Sequence, residues 1–458
     1  MKYVLPLLFQ ALLLARGEYD VVIIGAGMAG LSAANRLKSS GVTNVVVLEA
    51  RNRVGGRLYS IPLNNSTFLD MGASWIHGAS SKNPLVRLVK KSKVKISSRP
   101  TDFENANTYY SNGKIVSAAK ENAYARIWEK WEEYLRRVQN RYEEDPGLEI
   151  VVSNFIRKNS LKGEDLIAFK YSLNVYIEHE YAAPISKLSL WFDEDEEFRG
   201  GDSLVLGGYQ NVAIYMSQGL DVRLNHQVMA IDYSDEKNVV IKSKKIDGSL
   251  ESFTAKYLIC TLPTGVLQAN SVKFNPLLPS VNRRAISALG SGVLNKCIMV
   301  FNKAFWGTAE EFIERIDQSG TGAWEETLSI MPSANVPVLY AFNAADFAAT
   351  LEKKSDEQTC LEFLAVLRTI WPRAPAPIQC HVSRWLSDLF SKGSYSFTTP
   401  KMEFKQAHTD VAKPVGRLLY FAGEHTSLKY PATVHGALIT GDRSACDILK
   451  DMNKACRS

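Results

Sequence analysis

Tyr19-Asp-Val-Val-Ile-Ile-Gly-Ala-Gly-Met-Ala-Gly30 is the stretch that decides how this chain folds. The β-branched Val21, Val22, Ile23 and Ile24 read as a buried parallel strand. It runs into Gly25, Gly27 and Gly30 and then into Leu31-Ser-Ala-Ala-Asn-Arg-Leu37, a helical stripe. In such a unit the first glycine permits the tight turn, the second lets backbone approach a pyrophosphate, and the third lets helix pack on strand. The helix N-terminus adds free N–H groups and partial positive charge. A second strand, Asn44-Val-Val-Val-Leu48, ends at Glu49, 19 residues beyond Gly30, where a carboxylate meets a ribose 2′-hydroxyl. GxGxxG alone also occurs in plain turns. With both strands, the helix and the acid in register, it predicts a dinucleotide site.

The next segment strengthens this. Ala50-Arg-Asn-Arg-Val-Gly-Gly-Arg57 sets Gly55 and Gly56 between Arg53 and Arg57, so that backbone and guanidinium groups can close round phosphates. Leu69-Asp-Met-Gly-Ala-Ser-Trp-Ile-His-Gly78 follows. Together these stretches resemble the FAD-dependent amine oxidases, in the polyamine oxidase and spermine oxidase branch. The resemblance recurs at Thr261-Leu-Pro-Thr-Gly-Val-Leu267, Arg384-Trp-Leu-Ser-Asp388, Gly393-Ser-Tyr-Ser-Phe397 and Phe421-Ala-Gly-Glu-His-Thr426.

The resemblance implies an α/β FAD-binding domain of Rossmann type joined to an α+β substrate domain, both discontinuous. Residues 18–100, 205–285 and 405–458 are expected in the first, and 101–204 and 286–404 in the second. Ile127, Trp131, Leu135 and Val138 form a helical stripe within 117–170. Strands are expected at Val239–Ile241, Tyr257–Leu262, Cys297–Phe301, Val338–Phe342 and Leu418–Ala422, with a final helix from Gly436 onward.

Composition bounds the rest. The 458 residues are 46% hydrophobic and 22% charged, with net charge +6; this is globular, and no long basic block supports nucleic-acid binding. Met1-Lys2, the apolar run Tyr3–Ala15 and Arg16-Gly17 read as a signal peptide over residues 1–17, and hence as secretion. No later stretch is long enough to span a membrane. Asn64-Asn-Ser-Thr67 carries two overlapping glycosylation sequons. Six cysteines without a CxxC pair argue against structural zinc; disulfides are possible, their pairing is open, and Cys260 reads as core. The five acids Asp193–Glu197 are either a solvated face or a rim that attracts a polycation.

The family's chemistry assigns roles residue by residue. A flavin takes two electrons from the amine, and O2 reoxidises it to give H2O2. Lys296, ahead of an apolar strand, would on spacing alone snorkel to the surface. It matches the family's active-site lysine, which holds a water near the flavin, and burial there lowers its pKa. Tyr395 matches an aromatic of the substrate cage, and Trp75 and Trp385 match aromatic packing round the flavin or tunnel. His77, in Trp-Ile-His-Gly, resembles the branch that shortens spermine to spermidine. Glu180 aligns with a tunnel carboxylate that pairs with a distal ammonium. Thr433 falls where plant enzymes tend to carry a second cage tyrosine; the resemblance implies it as a substrate contact, without a full two-aromatic sandwich.

Cofactor contacts are implied at Gly25, Gly27, Gly30, Glu49, Arg53, Gly56, Arg57, Val228, Trp385, Glu424 and Val434. Val228 lies near the adenine and Glu424 on the ribityl chain. Thr426–Thr433 contains no cysteine, so the FAD should be bound non-covalently. The expected function is a secreted, FAD-dependent polyamine oxidase acting on a secondary amine of spermine, spermidine or an acetylated form, with O2 and of back-conversion type. An L-amino-acid or other primary-amine oxidase is the alternative, and it predicts an arginine clamp that no residue clearly supplies. A flavin-binding module without turnover would have lost the lysine or the FAD motifs. A chromatin demethylase would carry long coiled-coil heptads.

Overall fold

The computed structural model describes residues 15–64, 66–193 and 196–456, with side chains from Glu18 onward. Residues 1–14 of the expected leader, Asn65 of the sequons and Glu194 and Asp195 of the acidic run lie outside the described residues.

One sheet runs in the order Lys273–Asn275, His226–Asp232, Val239–Lys245, Leu250–Cys260, Ala15–Ile24, Val45–Leu48 and Asp221–Arg223, and Leu419–Phe421 also pairs with Leu250–Cys260. Its centre is parallel. Val21 and Ile23 enter one buried cluster, Val22 and Ile24 another, so the first strand is covered on both faces. That is why it is a continuous apolar run rather than an alternating one.

Helix Met28–Ser39 returns along the sheet, and helix Val434–Asp451 packs on it. Contact is close where glycine permits it. A Cβ on Gly30 would stand 1.9 Å from the carbonyl oxygen of Gly25, and one on Gly441 2.0 Å from that of Ala29.

The second sheet is ordered Gln379–Val382, Leu294–Val300, Val338–Ala344, Glu326–Ser329, Phe312–Ile316 and Ala106–Tyr110. Cys297, Met299, Leu339 and Ala341 pack beneath it on helix Asp356–Ile370, whereas Ile298, Tyr340 and Phe342 on the upper face meet Leu204 and, from the first domain, Leu69 and Met71. Helices Ala118–Gln139, Leu148–Lys158 and Gly163–Leu173 build a separate core, to which the stripe contributes Trp131, Leu135 and Val138.

The first sheet draws its strands from residues 15–48, 221–275 and 419–421 and the second from 106–110 and 294–382, and two readings from the sequence change locally. The expected border at 285/286 cuts helix Ser280–Ala288; that helix shares its core with Ala407 and Val411, so it stays with the first domain. The first strand starts at Ala15 rather than near residue 19, because Ala15 and Arg16 pair with Ser252 and Phe253. A register shift between Arg16 and Glu18 separates this extension from the main ladder. Cys260 is buried and free, as is Cys297, while Cys360–Cys380 and Cys446–Cys456 are disulfides. No helix among the described residues is long and apolar enough to cross a membrane.

Candidate active site

A cavity of about 560 Å³ runs between the two sheets. At one end Gly25, Gly27, Met28 and Ala29 form its wall. Gly25 takes φ +100°, a conformation that favours glycine, to turn from strand to helix. A Cβ on Gly27 would meet nothing within 4 Å. The space beside this turn is open, and it faces the N-terminal end of a helix with no acidic residue in its first turn. The N-terminal end of helix Val434–Asp451 faces the same cavity through Val434, His435 and Ala437, again with no acid in the first turn. Two positive helix ends round one cavity suit an anionic ligand.

Glu49 reaches this end from its strand terminus. Its carboxylate accepts from the backbone N–H groups of Ala26 (2.8 Å) and Arg51 (2.9 Å), and burial raises its pKa against those bonds. Gly56, Arg57, Val228 and Trp385 also line the cavity. The Trp385 indole donates to the carbonyl of Met71 at 3.0 Å. Glu424 is buried and receives Arg57 Nη1 at 2.9 Å, Ser396 Oγ at 2.6 Å and Ala432 N at 2.9 Å. Burial would raise its pKa; the Arg57 charge and these bonds prevail and bring it down to about 2.

Two expectations change here. Arg53 does not line this cavity: its guanidinium donates to the Leu58 carbonyl (3.0 Å) and stacks on Tyr59, bracing its own loop. Arg51 takes the cavity-facing place, held by Asp388 through two bonds of 2.8 and 2.7 Å. Thr433 lines the cavity, but its hydroxyl caps the final helix, accepting from Gly436 N and donating to the Tyr430 carbonyl, both at 2.9 Å. No hydroxyl proton is left for a ligand.

Lys296 lies in the middle of the cavity, on the upper face of the second sheet. Only 5% of the residue is exposed. Its Nζ donates to the carbonyls of Asp70 (2.9 Å) and Gly72 (2.5 Å) and to Ser74 Oγ, which uses all three ammonium protons. Burial pushes the Lys296 pKa down, and the Asp70 carboxylate opposes the fall. Asp70 is itself pushed up by burial, its carboxylate bonded to Tyr209 N at 3.0 Å and to Ser60 Oγ. Asp70 and Ser74 both lie in the Leu69–Gly78 stretch, where local pattern does not mark either as a partner of Lys296.

Beyond Lys296 the wall is aromatic and acidic. Trp75 packs 5.7 Å from Phe342 and is tethered to Thr101; the Tyr395 hydroxyl donates to the carbonyl of His179 at 2.8 Å. The helix Gly163–Leu173 opens into a wider π turn at Asn174–Glu178 and stops at Ala182, φ +54°. That widened turn presents Tyr176, His179 and Glu180 to the cavity. Glu180 feels the charges of His77, Glu197, Asp202 and Glu326, and burial raises its pKa. His77 Nδ1 is 2.7 Å from Asp202 Oδ2, and Asp202 also accepts from Gly78 N. Burial would lower the His77 pKa, but Asp202 raises it above the ordinary imidazole value.

This end therefore carries six carboxylates, Glu180, Glu196, Glu197, Asp202, Glu314 and Glu326. Glu196 and Glu197 belong to the acidic run and reach the cavity, so that run is more than a solvated face. Asp202, Glu314, Glu326 and His179 had no place in the sequence reading: each is ordinary alone, and only strand register and the π turn bring them together. No cysteine lines the cavity.

The family of flavin containing amine oxidoreductases matches residues 28–449. Similar proteins include Polyamine oxidase 3 of Oryza sativa subsp. japonica, 31% identical over 92% of this chain and 87% of that one. Probable polyamine oxidase 4 of Arabidopsis thaliana is 30% identical over 92% and 85%. Lysine-specific histone demethylase 1 homolog 2 of Arabidopsis thaliana is 31% identical, but the chain spans 59% of it. Among solved structures, wild-type putrescine oxidase bound to putrescine superposes with a TM-score of 0.74 at 21% identity, over 95% of this chain and 100% of that one.

Proposed function

The chain belongs to the flavin containing amine oxidoreductases, with FAD as its cofactor, and from that premise we propose that it is a secreted polyamine oxidase acting at a secondary nitrogen of spermine or spermidine. One observation carries the reading. A single cavity joins the open glycine turn at Gly27, the buried Lys296 and an end walled by six carboxylates. That end suits a substrate with several positive charges.

The donor set fits FAD. The Gly25–Gly27 turn and the helix end at Met28 would take the pyrophosphate, and Glu49, with two lone pairs still unused, a ribose hydroxyl. Val228 would flank the adenine, and Gly56, Arg57, Trp385, Glu424 and Val434 would line the rest of the cofactor. Bound there, FAD supplies the two-electron acceptor, and O2 carries the electrons on to H2O2. With no cysteine on the cavity wall, non-covalent binding follows.

The protein's own part is positioning and charge. Trp75, Phe342 and Tyr395 surround the reacting segment with apolar surface, and desolvation there favours the neutral amine that oxidation requires. Lys296 shares its protons among three oxygens and keeps a positive charge fixed at the cavity wall. Glu180 and the His77–Asp202 pair receive the other nitrogens. Of the described arginines only Arg51 and Arg57 line the cavity, and each is paired with a carboxylate, which speaks against an amino-acid substrate.

Secretion is supported by the apolar leader and by two disulfides, bonds that persist in oxidising compartments. Of the described residues, cleavage after Gly17 would remove only the strand extension beyond the register shift. Asn64 is exposed on its turn, as a glycosylation acceptor must be. His77 favours back-conversion.

The test supplies purified, FAD-loaded enzyme with spermine, spermidine and N1-acetylspermine in air, and follows H2O2 and amine products. Spermidine and 3-aminopropanal from spermine are expected. Release of 1,3-diaminopropane would put cleavage on the other side of the nitrogen, and absence of peroxide with all three would overturn the polyamine reading.

A further inference from the structure

Lys296 begins a row that crosses the second sheet at right angles to its strands. Lys296 pairs with Phe342, Phe342 with Glu326, Glu326 with Glu314, and Glu314 with Thr108. Residues directly opposite in adjacent strands share a face, so both carboxylates lie on the face that carries Lys296. Lys296, Phe342, Glu326 and Glu314 all line the cavity. With strands ~4.8 Å apart, Glu326 stands ~10 Å and Glu314 ~14 Å from Lys296.

Among the described residues no lysine or arginine pairs with either acid. Glu314 accepts from the hydroxyls of Tyr171 and Thr108 and is 9% exposed. Glu326 meets His179 Nδ1 at 2.5 Å. His179 is 5% exposed, lines the cavity, and its Nε2 has no hydrogen-bond partner. A buried ring nitrogen, the buried Glu314 and the half-buried Glu326, neither acid paired with a lysine or arginine, stand at one end of a ligand cavity and call for an incoming donor. Tyr176, whose hydroxyl feels both acids, adds an aromatic ring at the same place.

We propose that Glu314 and Glu326, with Tyr176, form a second cation subsite that holds the far ammonium of a long linear polyamine, so that the enzyme selects for chain length. The inference rests on the polyamine reading. An extended chain advances ~1.25 Å per bond, so the far primary nitrogen of spermine lies ~11 Å from a reacting secondary nitrogen. That span matches the distance from Lys296 to the acid pair. A diamine reaches only part of the way.

The test measures kcat and KM of the FAD-loaded enzyme for spermine and for N-methylbutylamine, a secondary amine with one charge, in wild type, E314Q, E326Q and the double variant. Flavin content and thermal unfolding identify folded protein, and two single variants allow for the loss of one. The expected result is a rise of about ten- to hundredfold in KM for spermine, with kcat and both constants for the monoamine unchanged. Unchanged spermine KM in an enzyme that oxidises spermine would overturn the subsite alone. Equal losses on both substrates would also overturn it, by showing an effect on cavity shape. Wild type that oxidises the monoamine and no polyamine would overturn the polyamine reading and the subsite with it.

Discussion

Lys296 Nζ and the carbonyl oxygen of Asp70 are 2.9 Å apart, and the carboxylate of the same aspartate is the buried charge that faces the lysine. Lys296 lies on strand Leu294–Val300 and Asp70 ends strand Phe68–Asp70, and the two strands come from different domains, so this contact ties one domain to the other beside the cavity. K296M should retain FAD and lose about 10²- to 10³-fold in kcat. D70N should shift the alkaline limb of the pH–rate profile to lower pH, because the carboxylate opposes the fall of the Lys296 pKa. Stopped-flow flavin reduction measures both, and K296M activity within threefold of wild type would rule out the lysine's role.

Gly27 and Gly30 separate cofactor contact from folding. Gly27 has φ −77°, open to any residue, and free space about its Cβ position. G27A should unfold like wild type but bind FAD at least tenfold more weakly, as the methyl enters the cavity. G30A drives a methyl into the Gly25 carbonyl and should fold poorly with or without FAD. Thermal melts with flavin titration distinguish the two, and equal behaviour would contradict the assignment.

The Arg57–Glu424 pair makes an acid-sensitive contribution to stability. The folded pKa of Glu424, about 2, lies below the ordinary 4.5. Its contribution is full above pH 4.5 and is lost as pH falls toward 2. R57A strands a buried carboxylate and should cost about 3 kcal/mol at neutral pH. The difference from wild type should shrink below pH 4.5. Chemical denaturation across pH measures it; a gap that widens in acid would refute the pairing.

Asp202 sets the protonation of His77. The unopposed effect of burial lowers an imidazole pKa, and Asp202 reverses it. D202N should therefore move the His77 limb in the pH dependence of spermine KM to lower pH by ~1 unit or more. H77N should abolish that limb. A limb that stays in place in D202N would show that another group titrates.

Much of the architecture was legible because it depends on local pattern. The run Val21–Ile24, the three glycines and Glu49 each obey a rule that reads along the chain, and strand, turn, helix and acid stand where it puts them. Lys296 needed the resemblance, since an apolar strand accommodates an exposed lysine equally well. Arg53 and Arg51 could not be told apart, because a two-residue step on a loop reverses which guanidinium turns inward. Thr433 was assigned toward the substrate, whereas helix capping claimed its hydroxyl. Glu314 and Glu326 were invisible for a further reason: their meeting with Lys296 is a matter of strand order, which no local pattern carries.

The helix Val434–Asp451 lies on Met28–Ser39, and strand Leu419–Phe421 seals the sheet beside Leu250–Cys260. The nucleotide-binding turn at residues 25–30 is thus completed by segments about 400 residues later in the chain. At about 5–20 residues per second, roughly 20 to 80 seconds of synthesis separate them. During that interval the glycine turn has no lid and the apolar face of its helix has no cover. The flavin cavity is therefore complete only once helix Val434–Asp451 has docked.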